Sequence, residues 1–186
     1  MRENKTKFAV LGLLSRQPQS GYDIRKQYMG SAGNFWSESY GQIYPILKQL
    51  EAGGLATFTV DHNEGRPDRK VYQITEAGRE ALREWLALPA ETFQYRVEVL
   101  LKVMHGIVVG PDTTIEHVQR FRQEHEALLQ RYESIAEQLK EQYRDTPNLA
   151  YSLLTVRCGE LASQAFVDWC DEAIACLSAL GPTSGE

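Results

Sequence analysis

The amino-acid sequence predicts a mainly α-helical protein carrying one small β-hairpin. Three observations lead there. Apolar residues recur at steps of three and four along most of the 186 residues, the spacing of one helical face. Between residues 55 and 75 the step changes to two, and β-branched and aromatic residues flank a run of turn formers, "DHNEGRPDR". Proline and glycine stand where the periodic runs stop.

The elements follow in chain order. Residues 6–15, "TKFAVLGLLS", bring Phe8, Leu11 and Leu14, or Val10 and Leu14, to one face of a first helix. After "QPQSG", Ser20 is expected to cap a second helix, "GYDIRKQYM", with Asp23 three residues on completing the capping pattern. A break at "GSAGN" precedes a third helix inside "SESYGQIYPILKQLEAGGL", where Ile43, Ile46, Leu47 and Leu50 share a face. Pro45 lies near its start. The first four backbone N–H groups of a helix have no intrahelical acceptor, so proline removes little hydrogen bonding there. "EAGGL" supplies a glycine stop.

The hairpin comes next. Ala56, Phe58 and Val60 alternate with Thr57 and Thr59, and Val71, Tyr72 and Ile74 form the returning strand. Thr75 then caps a fourth helix, "EAGREALREWLAL", with Leu82, Trp85 and Leu86 on its expected buried side, Gly78 allowing close packing and Pro89 as its stop. Three short helices followed by a hairpin and a helix is the plan of a winged helix-turn-helix, assigned to residues 1–88.

Residues 89–186 read as helical throughout. "TFQYRVEVLLKVMHGIVV" presents Phe93, Val97, Leu100, Leu101, Met104 and Val108 as an apolar face, and "GPD" stops it. The next run, "TTIEHVQRFRQEHEALLQRYESIAEQLKEQYR", carries a coiled-coil-like seam that also includes His125. Such a helix spans roughly 45 Å at 1.5 Å per residue and needs a partner helix. Val118, Phe121, Leu128, Tyr132, Ile135 and Leu139 are therefore the expected dimerisation residues. A last helix over 149–180 carries Leu149, Leu153, Leu161, Phe166, Trp169, Ile174, Leu177 and Leu180. This half forms the helical dimerisation domain.

Charge separates the halves. Residues 1–88 hold 12 Lys+Arg against 10 Asp+Glu, and residues 89–186 hold 8 against 15. Only the first half favours a polyanion. On the third helix Tyr40, Tyr44 and Lys48 stand at i, i+4, i+8, with Gln42 and Gln49 beside them. Such a strip is either a solvated face or a surface entering the major groove, where Gln reads adenine edges and Tyr and Lys reach phosphate. Ser39 and Pro45 belong to the same N-terminal end. Arg66, Arg69 and Lys70 at the hairpin tip suit phosphate or minor-groove contact, although Asp61, Glu64 and Asp68 partly cancel their charge.

At these residues the chain closely resembles the PadR family of bacterial transcriptional regulators. The resemblance runs over residues 8–88 through "VLGLL", "SGYDI", "FWSESYGQIYPILKQLEAGGL", "GRPDRKVYQITEAGREAL" and "WL". It implies a dimeric repressor whose winged helices bind dyad-symmetric operators in double-stranded DNA and whose C-terminal helices join two copies. Tyr44 and its neighbours then form the recognition surface and Arg66 to Lys70 the wing. The resemblance also implies release by a small aromatic or hydrophobic effector. Trp85, Phe93 and Tyr95, clustered in sequence where the halves meet, read either as core or as the lining of that effector's site.

Other chemistries find no support. There is no G-x-S-x-G, P-loop or H-E-x-x-H, and no cofactor motif. His117 and His125 are eight residues apart, about 12 Å along a helix, too far to share a metal. Cys158, Cys170 and Cys176 have no C-x-x-C spacing and read as reduced thiols. No apolar run approaches the roughly 18 residues of a membrane span. The expectation is a cytoplasmic, homodimeric DNA-binding regulator with no enzymatic activity. The competing class is an interaction adaptor that uses its winged helix to dock a protein.

Overall fold

The computed structural model describes residues 5–30, 43–61, 68–91 and 96–180. The chain divides into two compact units, Met1–Thr92 and Phe93–Glu186. The fold class is the expected one: mostly helix, with a small antiparallel sheet in the first unit.

That unit runs α1 (Thr6–Leu14), β1 (Gln19–Ser20), α2 (Gly21–Gly30), α3 (Ile43–Ala52), β2 (Ala56–Asp61), β3 (Arg69–Ile74) and α4 (Glu76–Ala87). The hairpin of β2 and β3 pairs from Ala56↔Ile74 out to Asp61↔Arg69. A short third strand, which the sequence does not signal, adds to it: β1 pairs with β3 through Gln19↔Tyr72 and Ser20↔Val71. Leu11, Leu14, Ile24, Ile43, Ile46, Leu47 and Leu50 are almost wholly buried, with Tyr72 and Ile74 closing the core from the sheet. Each such side chain contributes about 1.5–3 kcal/mol on burial.

The local rules of helix ends operate here. Ser20 and Asp23 make a reciprocal cap. The Ser20 hydroxyl donates to Asp23 Oδ2 at 2.8 Å, and the Asp23 N–H donates to Ser20 Oγ at 3.2 Å. Pro45 is the third residue of α3, inside the turn whose N–H groups lack acceptors. At the other end the Leu55 N–H donates to the Leu50 carbonyl and the Gly54 N–H to that of Glu51. Gly54 has φ +68°. This is a Schellman closure, which explains "GGL". Thr75 caps α4 by accepting from the Gly78 N–H at 3.1 Å, and its hydroxyl donates to the Gly54 carbonyl at 2.7 Å. On α4, Leu82 and Trp85 pack on the core as expected, but Leu86 is 65% exposed. It lies one position beyond Trp85, and so turns away from the face that Trp85 buries.

The second unit contains α5 (Glu98–Met104), a 3-10 turn (Gly106–Val108), α6 (Gly110–Gln142) and α7 (Pro147–Ser178). Helices α6 and α7, of 33 and 32 residues, form an antiparallel hairpin about four residues of connection. Pro111 stands in the first turn of α6, so "GPD" opens that helix as well as ending the previous segment. The expected face of α5 is corrected. Val99 is its buried residue, and Leu101, Met104 and Val108 are exposed. At Gly159, α7 runs against the Tyr132 ring, where a Cβ would stand 2.4 Å from Cζ. His125 is enclosed by Phe121 and Phe166, with ring centroids 4.5 and 4.6 Å away, and its Nδ1 lies 3.2 Å from the buried Ser163 hydroxyl.

Two predictions arise from this packing. A Cβ at Gly78 would lie 2.1 Å from the Leu55 carbonyl oxygen, which belongs to backbone and cannot swing aside. Gly78→Ala is predicted to destabilise the first unit by about 1–3 kcal/mol, despite a gain in helix propensity of about 1 kcal/mol. An unchanged or raised melting midpoint would refute the steric account. Burial lowers the His125 pKa from its ordinary value, against an opposing pull from Glu124. The unfolded chain therefore binds the proton more readily, so stability is full above the unfolded pKa and is lost as pH falls toward the folded one. The urea midpoint of the native protein is predicted to drop more steeply between pH 7.5 and 5 than that of His125→Phe. Equal drops would show that His125 contributes nothing to the acid sensitivity.

Candidate nucleic-acid interface

Helix α3 has two contrasting faces. Ile43, Ile46, Leu47 and Leu50 are buried, and this fixes the opposite side outward. Tyr44, 51% exposed, and Lys48 lie one turn apart on that outer side, with Pro45 and Gln49 also exposed. Lys48 is exposed. Ser39, Tyr40 and Gln42 lie outside the described residues.

The Tyr44 ring sits where α2, α3 and β3 meet. It closes on the first residue of α2, since a Cβ at Gly21 would come within 2.7 Å of Tyr44 Cε1. Tyr72 of β3 feels it as well. The Tyr72 phenol pKa is raised, chiefly by burial and further by the nearby Glu51 and Tyr44. Tyr22, on the first turn of α2, is another exposed aromatic of this unit.

The described wing cations are not free charges. Arg69 approaches Asp23 Oδ2 at 3.3 Å, the oxygen that already serves the α2 cap. Lys70 lies 4.0 Å from Glu51 of α3, and its Nζ stands 3.6 Å over the Phe58 ring. Both cations remain about half exposed. They bind the base of the wing to α2 and α3 while keeping an outward edge, and surface pairs of this kind are worth only about 0–1 kcal/mol. Arg66 lies outside the described residues. The roles of Asp23 and Glu51 as partners of the wing leave no trace in the sequence, because nothing local links position 23 to position 69.

The aromatic trio expected to line an effector site is only partly described. Trp85 stacks on Phe8 with centroids 4.6 Å apart and an interplanar angle of 7°, which makes it part of the core packing. Phe93 and Tyr95 lie outside the described residues.

The seam residues of α6 meet a partner, and it is their own chain's α7. Val118 is fully buried with Cys170, and Phe121 packs beside it. Tyr132 and Ile135 are buried with Val156, flanked by Leu128 and Leu139. Arg122 bonds Asp171 of α7 at 2.7 Å and pairs with Glu126, and these carboxylates raise its pKa. Burial also raises the Cys170 thiol pKa. The periodicity of α6 is thus satisfied within one chain. Apolar residues left uncovered lie elsewhere: Leu101, Met104, Ile107 and Val108, and on α7 Tyr151, Leu154 and Leu161. The α7 set follows steps of three and seven, with the exposed Cys158 between Leu154 and Leu161.

Among the described residues no group of three or more His, Cys, Asp or Glu could hold a metal, and no helix is long and apolar enough to cross a membrane.

Residues 10–84 match the PadR-like family of transcriptional regulators, and residues 95–178 match the family described as virulence activator alpha C-term. The chain is 30% identical over 179 residues to the probable transcriptional regulator Rv1176c of Mycobacterium tuberculosis, covering 88% of this chain and 93% of that protein. It is 40% identical over 80 residues to the negative transcriptional regulator PadR of Bacillus subtilis, an alignment that covers 43% of this chain and 44% of PadR. By structure, similarity to PadR extends further. PadR solved in complex with operator DNA matches with a TM-score of 0.82 at 25% identity, covering 94% of this chain and 99% of PadR. PadR in complex with p-coumaric acid matches at 0.75, with the same identity and coverage. The Vibrio cholerae virulence activator AphA matches at 0.71, with 30% identity over 94% of this chain and 99% of AphA.

Proposed function

The chain belongs to the PadR-like family of transcriptional regulators, and on that premise we propose that it is a homodimeric repressor that binds DNA through its N-terminal winged helix. The carrying observation is the outward pair Tyr44–Lys48 on α3, held by a buried inner face and flanked by the wing. In this reading residues 1–88 are the DNA-binding domain and residues 89–186 the dimerisation domain. Helix α3 enters the major groove with its N-terminal end, Tyr44 toward the bases, and Ser39, Tyr40 and Gln42, which precede it in sequence, contact the same site. Lys48 meets phosphate. Arg66, Arg69 and Lys70 track the neighbouring backbone, with Arg69 and Lys70 exchanging Asp23 and Glu51 for phosphate oxygens.

A dimer presents two such helices to a dyad-symmetric operator with half-sites roughly 34–36 Å apart, or a multiple of that. The surface that joins the copies is the apolar set left uncovered, Leu154 and Leu161 of α7 and the residues around Ile107, since the α6 seam is consumed within each chain. The complex of PadR with p-coumaric acid supports a small aromatic effector that releases this repressor from DNA. The protein acts in the cytoplasm, where its operator is.

The deciding experiment is a mobility shift with footprinting on the protein's own upstream DNA at two salt concentrations. A dyad-symmetric footprint that weakens steeply with salt is expected, because phosphate contacts release counterions. Binding no tighter than to random duplex, there and in selection from a random pool, would favour the adaptor reading.

Two further predictions belong to this reading. Tyr44→Ala should lower affinity for operator more than for random duplex, by roughly tenfold in the ratio, while Lys48→Ala should weaken both alike. Equal losses for Tyr44→Ala would remove its role in base reading. The native protein should sediment at twice the 21.1 kDa chain mass, and Leu154→Glu with Leu161→Glu should return it to one chain mass with helicity intact. A doubly substituted protein that remains dimeric would place the interface elsewhere.

A further inference from the structure

Building on that DNA-binding reading, we propose that Gly21 is a positioning residue for sequence recognition: by lacking a Cβ it leaves the space in which the Tyr44 ring lies, and so sets where Tyr44 meets the groove. A Cβ at Gly21 would stand 2.7 Å from Tyr44 Cε1, 3.2 Å from Leu47 Cδ1 and 3.3 Å from Tyr44 Cδ1. The first distance is one that real Cβ atoms essentially never show. Backbone conformation does not demand glycine there. Among the described glycines positive φ occurs at Gly54 and Gly110, and Gly21 is an ordinary first residue of α2. A Cβ at Gly12 of α1, by contrast, would meet nothing within 4 Å. What singles out position 21 is the tyrosine across from it.

The two neighbours respond differently to a methyl group. Leu47 is fully buried, and a few tenths of an ångström at its flexible end relieve a contact of 3.2 Å. Tyr44 is half exposed, so its ring swings outward at little cost to the core. A hydrogen bond from the phenol tolerates little displacement, since useful O–H···O distances span only about 2.5–3.0 Å. A methyl at position 21 therefore alters recognition through Tyr44 while the winged helix stays folded. The same geometry brings Gly21 of "SGYDI" against Tyr44, about 20 residues further along the chain.

The test is a double-mutant cycle in the full-length protein with Gly21→Ala, Tyr44→Ala and the pair. The probes are a duplex selected by the unmodified protein from a random pool and a scrambled duplex of equal length. Gly21→Ala alone is expected to lower the selected-to-scrambled affinity ratio by about tenfold, and by less than about twofold once Tyr44 is alanine. Thermal midpoints are read for all four proteins. If Gly21→Ala melts early, Tyr44→Ala should restore the midpoint, because the ring is what the methyl strikes. The proposal is overturned by an equal loss in both backgrounds, by an unchanged ratio in a folded Gly21→Ala protein, or by early melting that Tyr44→Ala does not relieve. Failure of the unmodified protein to select any duplex would instead overturn the DNA-binding reading on which this role depends.

Discussion

The winged-helix unit depends on one junction, where α3 ends, the sheet begins and α4 starts. The Thr75 hydroxyl donates to the Gly54 carbonyl and accepts from the Gly78 N–H, while the Thr75 N–H donates to the Leu55 carbonyl. That carbonyl occupies the space a side chain at Gly78 would fill. One threonine thus ties the exit of α3 to the entry of the helix that carries Trp85. Polar backbone groups at helix ends and turns are costly when unpaired, and this junction pairs them across three elements. The inner face of α3 can be buried at a fixed angle because both of its neighbours are fixed to its end.

Within the first unit charge serves geometry. Arg69 and Lys70 stand on β3 opposite Asp61 and Val60, and they reach Asp23 and Glu51 on helices. The wing base is therefore held at two points, one on each helix of the helix-turn-helix. In the second unit the balance differs. Phe121 of α6 meets His125 of its own helix and Phe166 and Trp169 of α7 edge to face, and the Arg122–Asp171 pair joins the two helices. The two helices close along this seam, while Tyr151, Leu154 and Leu161 of α7 are exposed.

Much of this is legible in the sequence because it is local. The Ser20–Asp23 cap, the tolerated Pro45, the Gly54 stop, the Thr75 cap and the β2–β3 hairpin each follow from residues within a few positions of one another. The inner face of α3 is legible from its period alone. What escapes lacks a local signal. Strand β1 is two residues long and exists only because β3, some fifty residues later, lies alongside it. The face of α5 cannot be read because Val97, Val99, Leu100, Leu101, Val103 and Met104 surround a seven-residue helix almost completely. A heptad seam states that α6 needs a partner but not whose, and the answer lies in the next helix. Gly21 looks like part of a cap motif, because its close approach to Tyr44 arises only once α2 and α3 are packed.

The two units also differ in how their contacts are spread along the chain, and that bears on the order of folding. Helices α6 and α7 are consecutive, joined by residues 143–146, with Asp145 at φ 64° in the turn. Their pairing can zip from the turn outward, each step closing a loop only slightly longer than the last. The winged helix must instead bring Gln19 to Tyr72 and Phe8 to Trp85 before its core exists. Folding slows as contacting residues grow more distant in sequence. The helical hairpin can accordingly form stepwise from its turn, whereas the winged-helix core has no such local starting point.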